Sequence, residues 1–233
     1  MKKSLLTTTL CLSLVAFSSA TQAAPVLIDF DDVSGSRVEI TNRYAALGVT
    51  LNAIDNPFPL FGAFPAPATL PTIRGGVSTW TEGFASAASP PQVAVSMPYP
   101  GVTEYGDGGI LISFAFDVNS VSLVGVDNGI SGGSDDESVT LTAYNAAGNQ
   151  IGQVYSTTNL PGLYDQTPAS IAMDGIRYVA FNYTDSNFGF YSIDNLEFVA
   201  APIPEPNMVF LLGAGLIALF GFRRKLSRVN ARR

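Results

Sequence analysis

The chain has 233 residues, of which 47% are hydrophobic and 13% are charged, with 12 lysine and arginine residues, 19 acidic residues and no histidine. The absence of histidine excludes Ser-His-Asp and Cys-His catalysis, histidine-bound zinc and imidazole general bases. The only cysteine, Cys11, lies close to the N-terminus, so the rest of the chain has neither a thiol nor a disulfide to stabilise its fold.

The N-terminal segment has the pattern of a secretory signal peptide. A basic start precedes an apolar stretch over residues 5–17 and a run of small residues over 18–24. We predict that residues 1–23 are removed by cleavage after Ala23. The Sec translocon and signal peptidase are the partners that this segment implies. Residues 24–201 then remain as one exported domain, which is long enough to build a hydrophobic core.

Charge is distributed unevenly along the chain. Residues 24–207 contain only four cationic side chains but all 19 acidic residues, which gives this part a formal net charge of −15. A domain of this charge is repelled by nucleic acid and by anionic membrane surfaces, so we predict no nucleic-acid partner. The same charge suits a protein that holds divalent cations. The four cationic residues are Arg37, Arg43, Arg74 and Arg177.

The first half of the domain is predicted to contain two strands and one short helix. Val26–Phe30 is a strand followed by an acidic turn, and Val49–Leu51 is a second strand. Between them, Glu39–Leu47 favours about two helical turns that end at the glycine which follows. The proline- and phenylalanine-rich segment 56–71 is predicted to be a long loop, and residues 74–80 have no clear pattern.

From residue 92 onward the sequence is almost entirely of the β type. Short apolar or alternating runs are separated by turn residues, and a glycine turn at residues 147–149 predicts a hairpin. This pattern predicts an all-β fold, namely a jelly-roll-like antiparallel β-sandwich. The predicted strands are Val93–Ser96, Ile110–Phe116, Val121–Val126, Val139–Tyr144, Gln150–Ser156, Ile176–Tyr183 and Tyr191–Val199.

The end of the chain combines Pro204-Glu205-Pro206, an uncharged apolar run over residues 208–222 and the basic cluster Arg223-Arg224-Lys225. As a helix the run reaches about 22 Å, and its polar ends help it to cross the hydrocarbon core. Because the basic cluster follows the run, residues 226–233 are predicted to lie in the cytoplasm and the domain outside. The sequence therefore predicts a single transmembrane helix behind a proline-rich neck.

This order of motif, apolar span and basic cluster over residues 202–225 resembles the PEP-CTERM sorting signal of Gram-negative bacteria. The resemblance implies that an exosortase, a membrane-embedded transpeptidase-like protein, recognises the tail and cuts near Pro204-Glu205-Pro206. It also implies a precursor anchored in the inner membrane and a mature protein at the cell surface or in the extracellular matrix. An ordinary single-span anchor with a proline-rich neck is the alternative interpretation.

Short stretches of the domain resemble the jelly-roll-type ectodomain of many proteins with such a tail. The stretches are IDFDD and ITNRYAALGVTL near the start, and SVTLTAYNAAGNQIGQ, GIRYVAFNYTD and YSIDNLEF in the C-terminal half. They support the fold rather than an activity. Sandwiches of this type include carbohydrate-binding modules, so the expectation of sugar binding rests on analogy.

Oxygen-bearing side chains near the first and last strands are candidates for a calcium site. Asp29, Asp31 and Asp32 end the first strand, whereas Asp194 and Asn195 lie in the last. In jelly-roll modules these strands are commonly neighbours, and Ca²⁺ takes about six to eight oxygen ligands. The alternative is that these residues cap turns. The acidic group at 135–137 is a second candidate that lacks the EF-hand pattern.

Aromatic side chains in or beside loops could stack on sugar rings while acids and amides bind the hydroxyl groups. Their alternative role is to close the ends of the core. Paired carboxylates could also hydrolyse glycosides, but among 19 acids some close pairs are expected by chance. The aromatic candidates are Trp80, Tyr99, Tyr105, Tyr164, Phe188 and Phe190.

We therefore expect an exported surface protein that is not an enzyme. Its domain is predicted to bind carbohydrate, in particular exopolysaccharide, and Ca²⁺ is the cofactor to consider. A structural surface or biofilm-matrix protein without a small ligand is the main alternative, and a glycan hydrolase is the third. Sugar binding predicts Trp80 and loop tyrosines over a shallow groove, whereas a structural role predicts self-association and no such groove.

Overall fold

The computed structural model describes residues 23–55, 68–81, 92–98, 106, 108–127, 137–158, 166–184, 191–202 and 215. Residues 22–201 form one compact unit. Among the described residues no helix has the length and apolar character needed to cross a membrane. The predicted signal peptide and the parts of the C-terminal sorting signal lie almost wholly outside the described residues.

The unit of residues 22–201 is built on antiparallel β-strands. Ten described strands belong to one continuous hydrogen-bonded network, and every described pair of neighbours is antiparallel. This confirms the predicted all-β class. The strands are β1 (Val26–Ile28), β2 (Val49–Ile54), β3 (Ile73–Gly75), β4 (Val77–Thr81), β5 (Gln92–Ser96), β6 (Gly109–Asp127), β7 (Glu137–Tyr144), β8 (Gln150–Thr158), β9 (Gln166–Thr184) and β10 (Tyr191–Ala200).

The two longest strands, β6 and β9, run through both halves of this network. The first half of β6 pairs with β2 and with the end of β9, and its second half pairs with β10 and with the start of β9. The register shifts between Ser113 and Val118, where a bulge lets the strand bend without ending. The prediction of two strands, Ile110–Phe116 and Val121–Val126, is therefore wrong, because the chain forms one strand that turns a corner.

The inner faces of the two halves pack against each other and form the main core. Phe181 from one half and Ile193 and Phe198 from the other are at most 1% exposed and belong to one cluster. A Cβ atom at Gly125 on β6 would lie only 2.5 Å from Val139 Cγ2 on β7, so this close approach requires glycine. Such face-to-face packing of apolar inner faces is the arrangement of a β-sandwich.

The predicted helix over Glu39–Leu47 is wrong, except at its end. Only Ala45–Leu47 is helical, as a single 3-10 turn, and Gly48 ends it in the left-handed conformation at φ 79°. The preceding residues instead lie along β4, where the Ile40 N–H donates to Val77 O at 2.8 Å. The edge of β4 carries backbone N–H and C=O groups that can pair with these residues. Because a local helix would leave those groups of β4 unpaired, tertiary pairing overrides the helical propensity.

The predicted hairpin is confirmed. β7 and β8 pair from Glu137↔Thr158 to Tyr144↔Gln150. The turn between them is stabilised by Asn145, whose Oδ1 accepts the N–H groups of Ala147 and Asn149 at 3.0 and 3.1 Å. The end of the proline-rich segment joins this turn through a bond from the Leu70 N–H to Gly148 O, whereas residues 56–67 lie outside the described residues.

A buried hydroxyl at the end of β7 predicts a pH dependence of stability. Tyr144 is fully buried, its hydroxyl has no hydrogen-bond partner among the described residues, and burial raises its pKa from 10.0 to about 12. Above pH 10 the folded chain keeps a proton that the unfolded chain loses, so the free energy of unfolding falls as pH rises through this range.

Tyr144→Phe should weaken this fall and should keep or raise the stability at neutral pH, because an unpaired buried hydroxyl costs about 1–3 kcal/mol. Urea unfolding at neutral pH and at about pH 11 measures both effects. A variant with the wild-type pH dependence would contradict the assignment of this effect to Tyr144.

Candidate functional site

The acidic turn after β1 ties three parts of the domain together. The Asp29 side chain accepts the N–H of Asp31 at 3.2 Å, and Asp31 accepts the N–H of Gln92 at the start of β5 at 3.0 Å. Asp32 forms an ion pair with Arg43 at 2.9 Å. Each of these carboxylates therefore has a structural partner, as expected of residues that cap turns.

Asp32 also accepts a hydrogen bond from a buried tyrosine. The Tyr44 hydroxyl donates to Asp32 Oδ1 at 2.6 Å. Burial, and after it this hydrogen bond, raises the pKa of the Tyr44 hydroxyl well above its usual value. The hydroxyl therefore remains a donor that fixes the Asp32 carboxylate at neutral pH.

The first and last strands are neighbours, as predicted. β1 pairs with β10 up to Ile28↔Leu196, and Asp29 and Asn195 directly follow this last pair. Asp194 is fully buried, and its Oδ1 accepts the N–H of Asn195 at 2.7 Å. No three His, Cys, Asp or Glu side chains of the described residues are grouped so that they could hold a metal ion. The calcium site, whose proposed ligands also include Asn195, stays a prediction.

A groove lies beside this junction, on the outer face of the half-sheet that contains β1, β10, β6 and β9. Its volume is about 440 Å³. Leu27 pairs with Glu197, which pairs with Ser122, which pairs with Ser170, so one row of the groove crosses all four strands. The complete lining is Leu27, Ser122, Leu123, Val124, Pro168, Ala169, Ser170, Asn195 and Glu197.

A β-bulge in β10 shapes one wall of the groove. Asp194 pairs with Val124 and Glu197 pairs with Ser122, so two residues of β10, Asn195 and Leu196, face a single residue of β6. Asn195, one of these two, has a positive φ of 48°, a conformation that asparagine tolerates better than most residues. The bulge therefore places Asn195 in the groove lining, as bulges are common next to functional sites.

The groove combines apolar and polar chemistry. Leu27 is 55% exposed although it is a large apolar residue, and Pro168 adds a second exposed apolar surface. Ser122, Ser170 and Asn195 supply hydroxyl and amide groups that both donate and accept hydrogen bonds. Glu197 supplies the one charged side chain of the lining. This mixture suits a ligand with C–H surfaces and many hydroxyl groups.

Sequence reasoning identified Asn195 but missed the other polar residues of the groove. Ser122 and Ser170 each interrupt an apolar stretch at a position whose neighbours are buried, which marks them as outward-facing. Leu27 and Glu197 likewise alternate with core residues. Period-two alternation could have shown that each side chain faces outward, but it could not have shown that the four lie in one row.

Trp80 lies on β4 and not in a loop. Its indole ring is covered on one side by the Arg37 guanidinium, which lies 5.1 Å from the ring centroid. Trp80 pairs with Val93 on β5, and β10 and then β6 follow β5 in the sheet. At about 4.8 Å per strand, Trp80 is therefore about 14 Å from Val124 on β6 in the groove.

The remaining aromatic candidates, Tyr99, Tyr105, Tyr164, Phe188 and Phe190, lie outside the described residues, as do residues 135 and 136 of the second acidic candidate. Of the proposed sugar-stacking residues, only Trp80 can therefore be placed. It does not line the groove.

Solved structures resemble the chain weakly. The K2 cleaved adhesin domain of Lys-gingipain has 12% identity and a TM-score of 0.41, covering 75% of this chain and 97% of that chain. A DUF4465 family protein from Bacteroides caccae has 13% identity and a TM-score of 0.39, with coverages of 76% and 100%. A variant of a family 29 carbohydrate-binding module has 13% identity and a TM-score of 0.27, with coverages of 68% and 99%. Similarity at this level does not extend to function.

No curated protein sequence matches the chain. Residues 202–225, in contrast, match the PEP-CTERM protein-sorting motif. The match covers Pro204-Glu205-Pro206, the apolar run and the basic cluster, and it confirms the resemblance noted in the sequence. It indicates an exported protein whose precursor is anchored in a membrane near its C-terminus and is processed by an exosortase. The chain therefore carries a PEP-CTERM protein-sorting motif at residues 202–225.

Proposed function

We propose that residues 24–201 form a carbohydrate-binding module that holds extracellular polysaccharide at the cell envelope surface. The sorting motif indicates export and exosortase processing, and it leaves the task of the exported domain open. The observation that carries the proposal is the groove at the β10 bulge. It offers an open surface with both apolar and hydrogen-bonding groups on a rigid sheet.

The lining of the groove matches the chemistry of a sugar ring. A pyranose presents C–H surfaces, which can pack on Leu27 and Pro168, and hydroxyl groups, which can bond to Ser122, Ser170 and Asn195. The volume of about 440 Å³ falls within the range of small-molecule sites, about 300–1,000 Å³. An aliphatic rather than aromatic floor favours modest affinity for each sugar unit, so a polymer would be held by many copies or repeated contacts.

A binding role is favoured over glycoside hydrolysis. Glycosidases commonly use two carboxyl groups about 5–9.5 Å apart, one of which is a general acid. Glu197 is the single carboxylate among the residues that line the groove. Calcium remains part of the proposal, as an ion near Asp29 and Asn195 that would stabilise the bulge rather than act on the sugar.

Filling the groove tests this function. We expect Ser170→Leu to weaken glycan binding at least about tenfold, because it removes a hydroxyl and occupies the space of a ligand. Ala172→Leu is the matched control, since Ala172 is exposed on the same strand and lies outside the lining. Binding of the purified domain to a glycan panel, with Ca²⁺ and then with EDTA, measures both effects. Failure of the domain to bind any glycan would overturn the proposal.

A structural role in a surface layer or biofilm matrix is the second candidate, and β8 favours it. β8 ends the described strand order, pairs with β7, and has no charged residue over Gln150–Thr158. Long uncharged edge strands tend to pair with a second chain. Concentration-dependent dimerisation without glycan binding would favour this role.

A further inference from the structure

We propose that the groove selects glycans that carry free amino groups, in preference to neutral glycans and against polymers of uronic acids. The inference rests on the proposed carbohydrate-binding function and names its ligand class. It rests on two observations: a carboxylate lies in the middle of the groove's row of residues, and every arginine in the exported domain already has another partner.

The charge in the groove is the carboxylate of Glu197. This residue lies in the middle of the four-strand row, between Leu27 on β1 and Ser122 on β6. Its side chain is half-buried, and among the described residues it forms no hydrogen bond or ion pair. A partly desolvated carboxylate without a partner is stabilised by a donor that a ligand supplies.

Each of the four arginines in the described part of the exported domain already has a partner other than this carboxylate. Three arginines of the domain are held in ion pairs with N–O distances of 2.6–2.9 Å, and the fourth, Arg37, stacks on Trp80. None of the four lines the groove. The exported part of the chain contains no lysine. The ion pairs are Arg43–Asp32, Arg74–Asp55 and Arg177–Asp117.

The groove also has groups that suit an ammonium ion. A protonated amino sugar presents three N–H donors, of which one can bond to Glu197 while the hydroxyl oxygens of Ser122 and Ser170 accept others. These residues lie on adjacent strands in one cross-strand row, so the distance between neighbours in the row is set by the strand spacing of the sheet. The net charge of −15 over residues 24–207 attracts such a ligand over a longer range and repels a uronate polymer.

The test compares three oligosaccharides of equal length: glucosamine, N-acetylglucosamine and galacturonic acid, at a pH where the amino groups are protonated. We expect the wild-type domain to bind the glucosamine oligomer about tenfold more tightly than its acetylated form, as one charge-assisted contact permits, and to bind the uronate least. Glu197→Gln should lower the ratio of the two affinities to about one, because the charge that favours the ammonium ion is gone.

Asp174→Asn is the matched control, because Asp174 is exposed at the bend of β9 and its replacement changes the net charge by the same amount. It should keep the preference. If Asp174→Asn lowers the preference as much as Glu197→Gln, the attraction is a general effect of the acidic surface and the inference is overturned.

Other outcomes separate the inference from the function on which it rests. Equal binding of the glucosamine and acetylated forms, or tighter binding of the uronate, would overturn the inference and leave the carbohydrate-binding function intact. Absence of binding to all three and to the wider panel would overturn both. Ser170→Leu should weaken binding of both amino-sugar oligomers, which ties the effect to the groove.

Discussion

Replacing Pro204, Glu205 and Pro206 by alanine is expected to leave the protein uncut and bound to the membrane. The three residues belong to the matched sorting motif, directly before the apolar run. Proline disfavours helix at its own position and at the residue before it, so we expect this segment to stay extended and open to a processing enzyme. With alanines the helix can continue upstream through the former cleavage region. The expected loss of processing is close to complete.

The measurement is the size and the membrane or released fraction of the protein, followed through a tag in the exported domain, in cells that contain an exosortase. Alanine replacement of Ser227, Arg228 and Val229 is the control, because these residues lie past the matched motif. This control replacement should leave processing unchanged. Normal release of the Pro204–Pro206 variant would show that this motif does not direct the cut.

Phe198→Ala is expected to cause the largest loss of stability of any single truncation considered. Phe198 is 1% exposed near the end of β10, and its ring centroid lies 5.1 Å from that of Phe114 on β6. Truncating a buried phenylalanine typically costs about 3–5 kcal/mol, since apolar contacts are lost and a cavity remains. A domain of this size has a total stability of about 5–15 kcal/mol, so the variant should unfold at a much lower urea concentration.

Phe116→Ala provides the matched control for this prediction. Phe116 lies 6.3 Å from the same Phe198 ring but is 38% exposed. Its truncation should cost roughly 1 kcal/mol, because much of its surface is already in water. Urea unfolding of both variants measures the difference. Equal losses would mean that the packing around Phe198 does not support the bent part of the sheet.

Two features of the chain followed from local patterns in the sequence. The β7–β8 hairpin was predictable because Val139, Leu141 and Ala143 alternate with polar residues and a glycine turn follows. The sorting signal was predictable because its parts are adjacent in sequence and act in that order. Neither depends on a partner from a distant part of the chain.

Where a distant partner decides the local structure, prediction from the sequence was wrong or incomplete. Glu39–Leu47 has helical propensity, but the edge of β4 takes its first residues as a strand-like partner. β6 reads as two strands because its bend contains polar residues, yet it continues through a bulge and links both halves of the sheet. In both cases long-range backbone pairing outweighs the local preference.

By itself, the sequence determined the β class, the absence of histidine chemistry and the C-terminal sorting motif, because composition, period-two alternation and the order of adjacent residues carry these properties. Only the tertiary structure decided that Leu27, Glu197, Ser122 and Ser170 form one row of a groove. The physical reason is strand register. The alternation within each strand predicts that each of these side chains faces outward. Pairing between distant segments decides which four strands lie side by side and where β10 bulges.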